Sequence, residues 1–232
     1  TSCTPNEGKT SVSFQLCLSL AESGKQTILV DADLRKSVLR GRYKANREKY
    51  GLSHYLSGQV ELDDACCRTN VNNFDIIFAG PVPNPSELLG GDAFRNMLEV
   101  LRMKYDYVIV DTPPLGSVID AAIVGAICDG TVIVVESGAI SYKFVQNVKE
   151  QLNKVGCRIL GCVLNKVNTK KNPYYGKYYG HYYGNYYGNG QDGTEETQED
   201  LTPDAGSKSD GTAAETKTAV PGQNTGEKES AK

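Results

Sequence analysis

The sequence predicts an α/β domain: a doubly wound, mostly parallel sheet with helices on both faces, followed by a disordered C-terminal tail. Three observations lead there. Short β-rich runs alternate with segments of helical periodicity. The runs are apolar throughout, without polar alternation, as strands covered on both faces must be. After Pro173 the apolar content collapses, so that part of the chain cannot bury enough surface to offset its ordering entropy.

The elements follow in order. After Lys9, TSVSFQLCLSLAES spaces Val12, Leu16 and Leu20 four apart, with Phe14, Cys17 and Ala21 widening the face and Gly24 as a stop. Thr27–Val30 is a strand that runs into acid, TILVDAD. Residues 43–80 are less regular, with a short helix in GLSHYLSG and a strand in FDIIFAG. Helices are expected over 92–104, 118–128 and 141–155, and strands in YDYVIVD (105–111), TVIVVES (131–137) and RILGCVLNKV (158–167). The opening TSCTPNEGKT reads as the middle of a domain whose first strand lies upstream. The expected organisation is a folded domain over 1–173, a tyrosine-rich cluster over 174–190 and an acidic tail over 191–232.

Composition sharpens this. The 232 residues include no Trp and five Phe but fourteen Tyr, and eight of the fourteen form four YY pairs in YYGKYYGHYYGNYYG. Core packing does not arrange tyrosines so. The tail holds ten acidic and four basic residues, a net of −6, which leaves 21 basic and 18 acidic residues, a net of +3, for the rest. That balance does not make a nucleic-acid surface. Seven cysteines (3, 17, 66, 67, 128, 157, 162) show no metal-ligand spacing and read as reduced, mostly buried thiols, with Cys66 and Cys67 as packing residues. No apolar stretch approaches the roughly 18 residues of a membrane-spanning helix, and no secretory signal is visible.

The chemistry lies in the loops. In TSCTPNEGKTS, Gly8-Lys9-Thr10 closes a phosphate-binding loop ahead of a helix, although Cys3 stands where the generic pattern opens with Gly. Thr4, Pro5, Asn6, Glu7, Gly8, Lys9, Thr10 and Ser11 would form the ATP-binding loop: its backbone N–H groups and the helix start would cradle phosphates, Lys9 would neutralise them, and the Thr10 hydroxyl would ligate Mg²⁺. Acids at strand ends lie where α/β sheets place ligands: Asp111 after VIV, and Asp31 and Asp33, two apart and on one side if the strand continues. A solvated turn capping a helix is the bland alternative for DAD; the phosphate loop and Asp111 favour metal and catalysis.

Together, PNEGKTS, ILVDADLRKS, VIVDTPP, GPVPNPSELL and the tyrosine tract resemble the bacterial tyrosine kinases of capsular and exopolysaccharide synthesis, P-loop proteins unrelated in fold to eukaryotic protein kinases. The resemblance spans Thr1 to Gly190 and implies ATP and Mg²⁺ as cofactors. It implies that Lys9 contacts the transferring phosphate, that Thr10, Asp33 and Asp111 organise Mg²⁺, and that Asp31 accepts the tyrosine proton. Asn165 would read adenine. Tyr174, Tyr175, Tyr178, Tyr179, Tyr182, Tyr183, Tyr186 and Tyr187 would be the phosphoacceptors. Implied partners are a transmembrane polysaccharide co-polymerase or activator, a cognate tyrosine phosphatase and further copies in a ring, with no nucleic acid. The implied location is cytoplasmic, at the inner face of the membrane through the activator. Alternatives are a MinD/ParA-like ATPase switch, against which Thr4 stands in place of that branch's signature Lys, and an inactive scaffold, against which the intact acids stand.

Overall fold

A computed structural model describes residues 1–42 and 50–168; the tyrosine tract and the acidic tail lie outside the described residues. The elements run α1 (Lys9–Glu22), β1 (Thr27–Asp31), α2 (Leu39–Arg42), α3 (Leu52–Leu56), α4 (Leu62–Ala65), β2 (Cys66–Arg68), β3 (Phe74–Ile77), α5 (Pro85–Gly90), α6 (Asp92–Lys104), β4 (Tyr107–Asp111), α7 (Asp120–Gly125), β5 (Thr131–Glu136), α8 (Tyr142–Lys154) and β6 (Ile159–Asn165). The parallel α/β architecture is as expected.

One sheet has the order β2-β3-β1-β4, and β5 pairs with β6 in a second. All pairings are parallel except β2 with β3, an antiparallel edge that the irregular 43–80 sequence did not announce. Between the two sheets run the residues that enter the phosphate loop. The Thr1 amine donates to Val132 O at 3.1 Å, Val134 N donates to Thr1 O at 2.9 Å, and Leu115 N donates to Ser2 O at 2.9 Å. Gly116 N likewise reaches Cys3 O. A Cβ at Gly116 would stand 2.2 Å from that oxygen, so only glycine lets the two segments approach. The turn this creates delays the expected 118–128 helix, which forms only over α7.

β1 is buried along its whole length because its two faces serve two cores. Ile28 and Val30 pack with Ile77, Phe94, Met97 and Leu101. Leu29 packs with Phe74, Ile76, Cys17 and Ala21. Phe94 is fully buried, so Phe94→Ala would cost about 3–5 kcal/mol in lost transfer energy and cavity.

Two expectations about cover are corrected. On α1 the buried line is Thr10, Cys17 and Ala21, while Leu16 is 44% exposed. The small Cys17 and Ala21 let the helix lie close on the sheet, which turns the Val12–Leu16–Leu20 row toward the helix flank. β6 is not covered on both faces: Leu160, Val163 and Leu164 are exposed, as is Cys162, which the sequence placed among buried thiols. Both faces of the strand are open there, since residues 160–164 are all exposed. All seven cysteines are free thiols.

Candidate active site

The phosphate loop is shaped by its own side chains. Glu7 is only 1% exposed, and its carboxylate accepts the N–H of Thr4 at 2.6 Å and of Glu136 at 3.2 Å. Asn6 and Gly8 take left-handed φ of 69° and 92°. At Gly8 a side chain is excluded twice, since a Cβ would lie 2.2 Å from Asn165 Nδ2. Asn165 Nδ2 donates to Glu7 O at 2.8 Å, and Lys166 Nζ donates to Asn6 O at 2.6 Å while pairing with Glu136. The loop is thus fixed from the ends of β5 and β6 before any ligand arrives. α1 starts at Lys9 with no acid in its first turn, so its free N–H groups and positive dipole end face the loop uncompensated.

The β1–β4 register places Asp31 opposite Asp111 at the carboxyl end of the sheet. Lys9 Nζ lies 3.4 Å from Asp33 Oδ2 and 3.3 Å from Thr10 Oγ1. The strand stops at Asp31, so Asp31 and Asp33 do not share a side by strand alternation. A tight turn brings them together instead: Asp33 N donates to Asp31 Oδ1, and Asp33 Oδ1 accepts Lys36 N at 3.0 Å. Burial pushes the Asp31 carboxyl up to about 7, against the pull of the Ser37 hydroxyl, which donates to it at 2.5 Å, and with a further push from Asp111. Burial also raises Asp111, while the Lys9 charge and the Thr10 hydroxyl hold it down.

Asp111 Oδ1 and Thr112 Oγ1 are buried polar atoms without a protein partner. An unpartnered buried carboxylate oxygen is costly, so Asp111 Oδ1 is free to accept a ligand. Its setting beside Lys9, Thr10 and Asp33 fits a hard cation bound through oxygen. Among the described residues no three His, Cys, Asp or Glu side chains converge closely enough to hold a metal by themselves.

One feature of the site joins two of the quoted motifs to a residue outside any of them. Asp120 is fully buried and receives Arg35 Nε at 2.6 Å, Arg35 Nη2 at 3.1 Å and Ser86 Oγ at 2.5 Å. Arg35 and Ser86 also bond to each other at 2.8 Å. These three residues tie the turn after β1 to α5 and α7, and the Arg35 fork and Ser86 hydroxyl hold Asp120 below the usual carboxylate range despite burial. A partnership across 85 residues leaves no local signature. Of the sequence-derived loop residues, Pro5 and Asn6 are exposed, and Ser11 Oγ accepts Arg42 Nη1 at 2.7 Å on the outer side of α1. The eight tract tyrosines lie outside the described residues.

Residues 6–160 match the AAA domain family. The chain is 45% identical over 175 residues to the tyrosine-protein kinase CpsD of Streptococcus agalactiae, covering 75% of this chain and 76% of that one. It is 40% identical over 168 residues to the tyrosine-protein kinase Etk of Escherichia coli, covering 72% of this chain but 23% of the longer relative. Among solved structures, the VpsO kinase domain superposes with a TM-score of 0.69 at 34% identity, covering 72% of this chain and 83% of that one. The Escherichia coli Etk kinase domain gives 0.68 at 37%, covering 73% and 68%. The MinD of Pyrococcus horikoshii, complexed with Mg-ADP, gives 0.61 at 25%, over 71% and 67%. The chain belongs to the AAA-domain P-loop family and, within it, to the bacterial tyrosine-protein kinases represented by CpsD and Etk.

Proposed function

We propose that this chain is an ATP-dependent protein-tyrosine kinase that phosphorylates the 174–187 tract of a second copy of itself. The observation that carries the reading is the pairing of a buried Asp31, raised to about 7, with an unpartnered Asp111 oxygen beside Lys9. The loop amides and α1 take the phosphates, and Lys9 turns from Asp33 to the transferring group. Thr10, Asp33 and Asp111 would hold Mg²⁺, which offsets charge on the phosphate oxygens when bound. Asp31 accepts the phenol proton as the new O–P bond forms and the bond to the β-phosphate oxygen breaks. A base near neutral pH is well matched to that transfer. Adenine fits the open cleft of about 390 Å³ where Asn165 meets Val12 and Leu16, which gives the exposed flank of α1 a use.

In this reading the kinase works with a transmembrane activator at the inner membrane face and with a phosphatase, in a ring of copies, to regulate polysaccharide synthesis and export. Among the described residues no helix is long and apolar enough to cross a membrane. The likeness to MinD supports an ATPase switch as the second reading. Incubation of the purified chain with Mg-ATP and mapping of phosphate separates them. ATP hydrolysis without phosphotyrosine sinks the kinase reading. Replacing the eight tract tyrosines with Phe should remove most self-labelling and leave phosphorylation of an added tyrosine peptide.

A further inference from the structure

The turn after β1 and the segment from Pro83 to Glu87 that enters α5 border a second cleft, open to solvent and about 290 Å³, lined by Arg35, Pro83, Asn84, Pro85, Ser86 and Glu87. Both sides connect through short stretches of chain to the candidate base, which itself lies buried outside the lining. Arg35 follows Asp31 by four residues, and the opposite wall continues from Ala79, whose backbone N–H is bonded to the Asp31 carboxylate. One wall is held in place by the bonds of Arg35 to Asp120 and Ser86, and Pro85 opens α5 at its first turn on the other. The volume stands at the small end of ligand pockets, which begin near about 300 Å³, and suits a single aromatic ring with its flanking backbone.

Charge names the occupant. Arg35 is neutralised by Asp120, so the uncompensated charge on the rim is Glu87, which is exposed and makes no ion pair among the described residues. In YYGKYYGHYYGNYYG the side chains other than tyrosine that carry or gain charge are Lys177 and His181, both basic and each directly before a YY pair. We propose that this cavity seats the acceptor tyrosine of a second copy's tract, and that Glu87 selects acceptors flanked by a cation. The proposal rests on the kinase reading and adds to it a substrate rule: neighbouring basic residues favour, and neighbouring acidic residues disfavour, the phenol presented to Asp31.

The test uses the full chain with the eight tract tyrosines replaced by Phe, so that only added peptide is labelled. End-capped YYGKYYG and YYGEYYG are offered to the parent, to Glu87→Gln and to Glu87→Lys. Exposed pairs are individually weak, so the expected rise in KM for YYGKYYG is about threefold for Glu87→Gln and about tenfold for Glu87→Lys. Glu87→Lys should also prefer YYGEYYG, and the effect should sit in the peptide KM while kcat stays within about twofold. An unchanged peptide ranking in Glu87→Lys, or an effect confined to kcat or to the KM for ATP, overturns the proposal. Anisotropy of the same peptides, labelled, in Mg-ADP reads the ranking without chemistry. Phosphotyrosine absent from every peptide therefore refutes the kinase reading, while the binding ranks still decide the role of Glu87.

Discussion

Asp31→Asn should make the protein more stable and less active, and the gain should depend on pH. The folded Asp31 titrates at about 7, whereas an unfolded Asp titrates near about 3.9. The folded state thus binds the proton more tightly, so stability falls as pH rises from about 4 to about 7 and is flat above that. A shift of about three units corresponds to about 4 kcal/mol as an upper bound, at about 1.4 kcal/mol per unit. Asparagine keeps an oxygen for the Ser37 hydroxyl but sets its amide against the Ala79 N–H, which reduces the gain. The expected stabilisation is about 1–3 kcal/mol at pH 8, shrinking toward zero near pH 4, or a Tm rise of about 2–4 °C per kcal/mol for a domain of this size. Urea unfolding at pH 8.0 and pH 5.0, without nucleotide or Mg²⁺, measures it. Loss of the base should at the same time lower phosphotyrosine formation by about 10²–10⁴. Equal stability changes at the two pH values, or destabilisation at pH 8, would refute a carboxylate held against its desolvation cost for the sake of chemistry.

Asp120→Ala leaves Arg35 without its partner in the wall of the acceptor pocket, and breaking a buried pair from one side costs about 3–5 kcal/mol. Arg35 is partly exposed and can rehydrate, so the lower end is expected, read as a drop in urea midpoint. Lys9→Met should abolish phosphotyrosine because phosphate charge goes unmatched; retained activity by anti-phosphotyrosine blot would contradict the loop assignment. Glu7→Ala removes the acceptor for Thr4 N and Glu136 N, and a fluorescent ATP analogue should bind at least about tenfold more weakly, the consequence of losing two buried hydrogen bonds of about 1 kcal/mol each.

The loops that meet at the candidate site were legible in the sequence because each is contiguous. GKT before a helix, and acids after VIV and ILV, are short-range patterns with a backbone cause. The parallel sheet followed from apolar runs such as TILV and VIVV. What stayed hidden depends on distance or on small residues. The Arg35–Asp120 fork joins residues that only the fold brings together. The buried role of Glu7 was masked because an acid in an exposed-looking loop reads as solvent-facing. In α1 the spacing of Val12, Leu16 and Leu20 suggested the wrong face, since Cys17 and Ala21 score as minor residues yet permit the closest approach to the sheet. The covering of β6 was overestimated because an apolar strand reads the same whether or not anything lies on its outer face. The α5 helix in PNPSELLG was concealed by prolines, although Pro85 at its first turn is where helices tolerate proline best.

The phosphate loop is also the seam between two separately hydrogen-bonded sheets. Its entry residues Thr1 and Ser2 hold β5, and Glu7 and Asn165 fasten it to the ends of β5 and β6, while α1 leaves it to lie on β1 and β4. Ordering that seam must therefore stiffen both halves at once. The Glu136 amide at the carboxyl end of β5, bonded to the loop's own Glu7, and the Ser137 amide that follows it, bonded to Asn165 O, become reporters of occupancy: their hydrogen exchange should slow when the loop is filled.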